Sequence, residues 1–276
     1  MYIYLIITNI LVFFIGNIFG SIMNIVISRS LNKEKIMKKG IYCDHCKTKL
    51  KTYETIPFFS YMFLRGRCRH CKKEINKNYF IAELSTGIIF LILFNAFNPT
   101  TFSKIPTSML SAKMLSLAFI PLILGYMYIL SALDMIDNRI DRKTMLYGIV
   151  TVALYTITDL IVHKRLYQMS KLYIMILLIY VCLIIILTQV QLANYKRKKK
   201  PNYAIDQIMY ILLISIFFGS KIMIVSLIAT TIIYSIFKLK AKNERIALTP
   251  IITVTTLTTY ILYIYSMCYI PFSVYV

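Results

Sequence analysis

Several residue types are scarce in this chain. It has no tryptophan, 8 glycines, 7 prolines and 6 cysteines among 276 residues, and only 16% of its residues are charged while 58% are hydrophobic. This composition excludes a collagen-like chain, a disulfide-rich miniprotein and a disordered polar chain. The lack of tryptophan by itself excludes nothing, because the 22 tyrosines can take its place at membrane interfaces.

Long apolar runs are present, and they predict a membrane protein. The runs 2–27 and 172–188 hold about the 20 apolar residues that a helix needs to cross a bilayer, with few or no charges. The first run lacks a basic n-region and a small-residue cleavage pattern, so we interpret it as a span and not as a signal peptide. The predicted fold is all-α and polytopic, with about eight transmembrane helices at 2–27, 80–97, 113–133, 144–162, 172–190, 206–218, 222–237 and 246–275.

The basic residues are unevenly distributed between these spans. Of the 32 Lys and Arg residues, 26 lie in the loops 28–79, 138–143, 196–200 and 238–245. The positive-inside rule places these loops in the cytoplasm and the N-terminus outside. We therefore interpret the net charge of +21 as a determinant of topology that contacts anionic headgroups of the lipid bilayer, and we predict no nucleic-acid partner.

The loop 28–79 is too long for an ordinary connection and predicts a small cytoplasmic domain. The predicted organisation is a first transmembrane helix at 1–27, this cytoplasmic domain at 28–79 and a multi-helix membrane domain at 80–276. The loop contains two C-x2-C knuckles separated by 21 residues, Cys43-Asp44-His45-Cys46 and Cys68-Arg69-His70-Cys71.

This spacing is typical of a zinc ribbon, and it predicts one structural zinc ion held by Cys43, Cys46, Cys68 and Cys71. Four thiolates complete a tetrahedral site and leave no position for a substrate or a water molecule. Unmetallated thiols and two disulfides are the alternatives, and a reducing cytoplasm disfavours the disulfides. His45 and His70 are predicted to lie near the metal or at the surface without ligating it. The remaining cysteines, Cys182 and Cys268, are interpreted as ordinary small apolar residues.

Four segments carry a resemblance to a known family. They are 20–29 (GSIMNIVISR), 53–61 (YETIPFFSY), 64–68 (LRGRC) and 79–87 (YFIAELSTG), and with the knuckles they closely resemble the N-terminal region of type 4 prepilin peptidases. Members of this family are polytopic aspartic proteases of the cytoplasmic membrane that cut the leader from pilin and pseudopilin precursors. Many also methylate the new N-terminus with S-adenosylmethionine. The resemblance implies these partners and this cofactor for the present chain.

The resemblance also implies two catalytic aspartates, each near the cytoplasmic end of a membrane helix. Asp134 matches the first, because it ends the S-x-x-D stretch Ser131-Ala132-Leu133-Asp134. Asp206 matches the second, which normally follows G-x-G, but Tyr203 and Ile205 replace both glycines. Asp137 and Asp141 are lesser candidates, and Asp159 is assigned to the outer face.

The replaced glycines leave two interpretations open. Side chains at Tyr203 and Ile205 can impose a different turn and a bulkier cleft than glycine would. A catalytically impaired scaffold of pilus or competence machinery is therefore the alternative to an active peptidase. Ile208 also stands where the family often has lysine, and no glycine-rich nucleotide loop supports the methyltransferase activity independently of the resemblance.

Two further acidic residues lie in the matched segments. Glu54 and Glu83 could meet the ammonium group or the basic leader of a substrate, but a loop ion pair and a helix N-terminal carboxylate are the simpler interpretations. A transporter is disfavoured, because no ionisable residue is assigned deep within a span.

The predicted topology can be tested by cysteine-accessibility labelling. Residues 50 and 198 are expected in the cytoplasm and residue 105 outside, because the basic loops define the inner face. A residue 198 labelled from outside would place Asp206 and Asp134 at opposite membrane faces and would exclude a joint mechanism.

Overall fold

A computed structural model describes residues 2–32, 40–43, 45–51, 54, 59–96, 107–137, 142–162, 171–198, 203–240 and 246–269. The chain divides into two compact units, Met1–Asn98 and Pro99–Val276. The described part of the first unit contains helices α1 (Tyr2–Leu31), α2 (Phe59–Phe63) and α3 (Lys77–Ala96). The described part of the second contains α4 (Thr107–Asp137), α5 (Arg142–Val162), α6 (Lys171–Lys198), α7 (Tyr203–Phe218), α8 (Ser220–Lys240) and α9 (Thr249–Tyr269).

The helical membrane fold is confirmed. Each predicted span overlaps one long helix, and the described residues outside helices form only two isolated β-bridges, Tyr42 with Lys49 and Arg67 with Glu74. Among the residues that the structure describes, four helical segments are long and apolar enough to cross a membrane, namely Ile3–Leu31, Lys77–Ala96, Ala118–Ile136 and Lys221–Leu239. Shorter apolar segments lie at Ile179–Gln191, Ala204–Phe218 and Thr249–Ile264, so the number of eight crossings stays a prediction.

Close backbone approach holds α1 against α3 in the first unit. A Cβ atom on Gly16 would lie 2.8 Å from the Cα atom of Gly87, so only glycine lets the helices approach this far. Glycines that allow such contact are typical of helix pairs in membranes, where lipid removes the hydrophobic drive for association. The tight contact therefore replaces the apolar burial that would hold two helices together in water.

Asparagine side chains on α1 add polar contacts to the same helix pair. The Nδ2 atom of Asn95 donates a hydrogen bond to Oδ1 of Asn9 at 2.9 Å, and Nδ2 of Asn24 donates to the carbonyl oxygen of Tyr79 at 3.2 Å. These bonds lie near the two ends of the α1–α3 contact. They fix the register of the two helices because a one-turn slip would leave the amide groups without these partners.

Five helices of the second unit form a closed ring of neighbours. Helix α4 packs against α5 and α9, α7 packs against α5 and α8, and α8 packs against α9. Helix α6 packs against α7. The rings of Tyr126 on α4 and Tyr210 on α7 meet inside this ring with their centroids 5.7 Å apart, and both side chains are fully buried.

The outward faces of the helices are apolar. On α8, the large side chains of Ile224, Ile228 and Ile232 recur every four residues and are 56–60% exposed. A stripe of this kind on a soluble protein would mark an interface, whereas in a polytopic membrane protein it suits contact with lipid. Exposure and hydropathy therefore agree on a membrane environment.

The α1–α3 packing predicts the effect of a larger residue at Gly16. Gly16→Leu should lower the melting midpoint of the purified protein, because the added atoms collide with the backbone of α3 and overpacking typically costs about 1–3 kcal/mol. Ile15→Leu is the matched control, since Ile15 is 57% exposed on the same helix. Equal melting midpoints for the two variants would show that the close approach does not contribute to stability.

Candidate functional site

The two C-x2-C knuckles fold into the same tight turn. In each, the amide of the first cysteine donates to a carbonyl five residues later, and the residue after the second cysteine donates back to the first cysteine's carbonyl. The bonds are Cys43 N to Thr48 O at 3.0 Å, Lys47 N to Cys43 O at 3.0 Å, Cys68 N to Lys73 O at 2.9 Å and Lys72 N to Cys68 O at 2.9 Å. This turn directs both sulfur atoms of a knuckle to one side.

A left-handed residue completes each turn. Lys47 has φ 53° and Lys72 has φ 59°, a conformation that side chains other than glycine rarely adopt. Each of these lysines directly follows a C-x-H-C sequence. The two knuckles therefore repeat the same C-x-H-C-K sequence, with a spacing of 25 residues. The repeated lysine is the sequence signal for this duplication.

The four cysteine sulfur atoms form one cluster. They all lie within 4.8 Å of one another, and the sulfur atoms of Cys43 and Cys71 are 4.0 Å apart. Four sulfurs at about 2.3 Å from a tetrahedral zinc ion would be about 3.8 Å from one another. The cluster therefore fits a metal ion, and its cysteines are free thiols and not disulfides.

Local hydrogen bonds and burial give these thiols different acidities. The hydroxyl and amide of Thr48 donate to the sulfur of Cys46 and lower its pKa to about 6, whereas burial raises the pKa of Cys43 to about 11. The amide of Cys71 lowers the pKa of Cys68. A bound cation would supply the positive charge that keeps all four ligands as thiolates.

Glu54 connects the two knuckles from inside the small domain. Its Oε2 atom accepts a hydrogen bond from the amide of Lys51 at 2.9 Å, which lowers the pKa of the carboxyl, and Oε1 lies 3.7 Å from Nε2 of His70. Glu54 is only 6% exposed, so the structure favours a structural role over contact with a substrate. His45 is exposed, and neither histidine belongs to the four-cysteine cluster.

Asp134 lies in the last turn of α4, where the S-x-x-D motif predicted a helix end. Its carboxylate is fully buried, and Oδ2 accepts hydrogen bonds from the hydroxyl of Thr249 at 2.6 Å and from the amide of Thr249 at 3.2 Å. Thr249 is the first residue of α9. The carboxylate of one helix therefore caps the N-terminus of another, where the helix dipole favours a negative charge.

Asp206 lies in the first turn of α7 and is 5% exposed. Its Oδ1 atom accepts a hydrogen bond from Nε2 of Gln191 on α6 at 2.7 Å. Both sequence-predicted aspartates are thus buried and hydrogen-bonded.

A cluster of three hydroxyl groups connects the regions around the two aspartates. The hydroxyl of Thr253 on α9 lies 2.6 Å from those of Ser131 on α4 and Tyr210 on α7. Ser131 precedes Asp134 by three residues and Tyr210 follows Asp206 by four, which is about one helical turn, or about 5 Å, in each case. Both carboxylates therefore lie one turn from the same cluster, on three helices of the closed ring.

The replaced glycines do not require a special backbone conformation here. Helix α7 begins at Tyr203, so Tyr203 and Ile205 both have helical backbone in its first turn. Ile208, at the position that often carries lysine in the family, is 47% exposed. Asp141 and the side chains of Asp137, Asp159 and Tyr203 lie outside the described residues.

The polar partners of the two aspartates were not predicted from the sequence. Thr249 and Thr253 lie four residues apart on one face of α9, but Thr255, Thr256, Thr258 and Thr259 obscure any simple period. That spacing was a weak signal. Gln191 had no comparable pattern around it.

The cysteine cluster predicts one bound metal ion per chain. Metal analysis of the purified full-length protein should find about one equivalent, and Cys43→Ser or Cys68→Ser should remove most of it because three thiolates hold the ion far less tightly. Cys182→Ser is the matched control, since Cys182 is an exposed cysteine on α6. Wild-type protein with no metal, or a Cys43→Ser variant with a full equivalent, would contradict the site.

Comparisons with known proteins concern mainly the first unit. Residues 14–97 match the family profile of the Bacterial Peptidase A24 N-terminal domain. The chain is 36% identical over 110 residues to a prepilin leader peptidase/N-methyltransferase of Myxococcus xanthus, which is 40% of this chain and 32% of that protein. It is 38% identical over 96 residues to a protein of the same name from Vibrio cholerae, 32% of this chain and 36% of that protein.

The chain thus spans about a third of the length of these curated relatives in the matched regions. No solved structure matches the chain significantly. The matched residues include α1 from residue 14 onward, both cysteine knuckles and α3. The resemblance of the N-terminal region to type 4 prepilin peptidases, found in the sequence, is confirmed.

Proposed function

We propose that this protein is a membrane aspartic endopeptidase that removes the leader of type 4 prepilin-like precursors at the cytoplasmic face of the membrane. The observation that carries the proposal is the placement of Asp134 and Asp206, two buried carboxylates one turn from a shared hydroxyl cluster. Buried carboxylates are costly in an apolar helical unit, so their occurrence at neighbouring helix ends supports a function.

A pair of neighbouring carboxylates can activate one water molecule. Two negative charges at short distance are unfavourable, so the pair holds one proton between them. The ionised member accepts a proton from the water that attacks the scissile carbonyl, and the protonated member donates a hydrogen bond to the developing oxyanion. Such a pair hydrolyses a peptide bond without a covalent intermediate.

The substrate assignment comes from the family and from its relatives. The relatives carry the name prepilin leader peptidase/N-methyltransferase, and one from Escherichia coli is a type 4 prepilin-like proteins leader peptide-processing enzyme. A prepilin presents its cut site between a basic leader and an apolar helix that lies in the bilayer. Carboxylates at the ends of membrane helices are well placed to meet that boundary.

The remaining parts of the proposal concern the first unit. We propose that the four-cysteine segment at 28–79 binds a structural zinc ion in the cytoplasm and that, as the relatives' names imply, this protein also methylates the new N-terminus with S-adenosylmethionine. Zinc suits a cluster of four soft sulfur ligands with no open position, and in such a site it stabilises the fold and performs no chemistry.

The scaffold alternative depends on the replaced glycines. Helical backbone at Tyr203 and Ile205 supports an intact helix start, and burial of Asp206 with a hydrogen-bond partner supports an intact site. A scaffold would not depend on either carboxylate. Substitution of the aspartates therefore separates the two functions.

Asp134→Asn and Asp206→Asn should each abolish nearly all leader cleavage of a co-expressed prepilin. A shared proton and water leave neither aspartate a mechanism alone, so each single variant should lose about 10²–10⁴-fold in rate and the double variant little more. Cleavage is read as the mobility shift of the mature pilin. Metal content and protein level should stay at the wild-type values.

Asp159→Asn is the control for removal of a carboxylate elsewhere on the membrane unit, and it should cleave normally. Substantial cleavage by Asp206→Asn would remove Asp206 from the mechanism. Loss with Asp137→Asn and retention with Asp134→Asn would move the first role to Asp137. A wild-type protein that cleaves no prepilin, including those encoded near its gene, would favour the scaffold.

A further inference from the structure

We propose that Thr249 is a positioning residue that holds Asp134 as the member of the aspartate pair that takes the proton from water. This role rests on the proposed peptidase function and deepens it. In this proposal the two carboxylates perform different proton transfers, although the sequence motifs alone do not distinguish them.

The contact between Thr249 and Asp134 has an unusual geometry for a helix cap. A capping side chain normally belongs to the residue just before its own helix, whereas here the carboxylate comes from α4 and caps α9 across 115 residues of sequence. Both donors of Thr249, its hydroxyl and its amide, bond the same oxygen, Oδ2. Two donors on one atom fix both the rotation and the position of the carboxylate.

The surroundings of the two aspartates differ in kind. Asp134 accepts two hydrogen bonds on one oxygen at the N-terminus of α9, where the helix dipole attracts negative charge. Asp206 accepts from the neutral amide of Gln191. The pair is therefore asymmetric, and the asymmetry assigns the proton acceptor to Asp134 and the proton donor to Asp206.

Peptide hydrolysis by this pair proceeds through a tetrahedral intermediate. The water oxygen forms a bond to the scissile carbonyl carbon, its O–H bond breaks, and that proton goes to Asp134 while the carbonyl oxygen receives the proton of Asp206. Collapse of the tetrahedral intermediate breaks the C–N bond. The leaving nitrogen takes the proton from Asp134, and the re-formed carboxyl product returns one to Asp206.

Position matters in this step because the proton acceptor must reach the attacking water. Misplacement of a catalytic group by about 1 Å can cost about 10²-fold in rate. Thr249 lies next to Pro250, and its methyl and hydroxyl occupy a fully buried site. Replacement of the hydroxyl alone would free the carboxylate to rotate while leaving the packing almost unchanged.

The test compares Thr249→Val, Thr249→Ser and Thr255→Val in the full-length protein, with cleavage of a purified prepilin measured over a range of substrate concentrations. Valine keeps the shape of threonine and removes the hydroxyl, whereas serine keeps the hydroxyl. Thr255→Val is the matched control, because Thr255 is also buried on α9 and its hydroxyl lies 2.7 Å from that of Thr230, away from both aspartates.

Thr249→Val should lower kcat about 10–100-fold with KM changed by less than about twofold, since the substrate still binds and only the proton acceptor is misplaced. Thr249→Ser should retain kcat within about threefold of wild type. Thr255→Val should cleave at the wild-type rate. Melting midpoints of both valine variants report the structural cost separately from kcat, since Thr249→Val removes a hydroxyl that donates to Asp134 and Thr255→Val removes one that contacts Thr230 and the carbonyl oxygen of Ile251.

Three results would overturn the role of Thr249. Equal kcat values for Thr249→Val and Thr255→Val would reduce Thr249 to a helix cap, and a rise in KM with unchanged kcat would make it a substrate contact. Failure of serine to restore cleavage would show that the hydroxyl does not act. A wild-type protein without cleavage activity would instead overturn the proposed function, and the role of Thr249 with it.

Discussion

Hydrogen bonds between buried polar groups on different helices constrain how this protein packs. A membrane interior offers no water, so a carboxylate or amide within a helical bundle must find its hydrogen bonds on other helices. Asn9 is hydrogen-bonded to Asn95, Asp134 to Thr249, and Asp206 to Gln191. These contacts determine which helix faces meet, because an apolar helix face packs against lipid as well as it packs against another helix.

The same constraint explains why the candidate site is built from helix ends. The last turn of α4 and the first turns of α7 and α9 supply backbone groups that no residue of their own helix can satisfy. Bringing these ends together lets side chains from one helix complete another, as Asp134 does for α9. A site of this kind needs few polar residues, which suits a chain with only 11 acidic side chains.

Sequence predicted those parts of the protein whose signals are local. Helices followed from apolar runs, and the four cysteines followed from a spacing that a short turn imposes. The two aspartates could be found only through a motif, because nothing in their spacing brings residues 72 apart in sequence together. The role of Thr249 could not be predicted for the same reason, because its partner Asp134 lies 115 residues away and threonine is common in membrane helices.

The close contact of α1 and α3 has a thermodynamic consequence for the cysteine segment between them. The hydrogen bond from Asn24 to Tyr79 joins the last third of α1 to the first turn of α3, close to the two ends of the segment between them. The intervening residues thus form a loop whose ends are already held together. Pairing of α1 with α3 therefore offsets the loss of chain entropy that closing this loop requires. Metal binding and helix association are therefore linked equilibria, in which each lowers the entropic cost of the other. Removal of the metal should loosen the knuckles without releasing the ends, unlike a free zinc finger, whose whole chain unfolds.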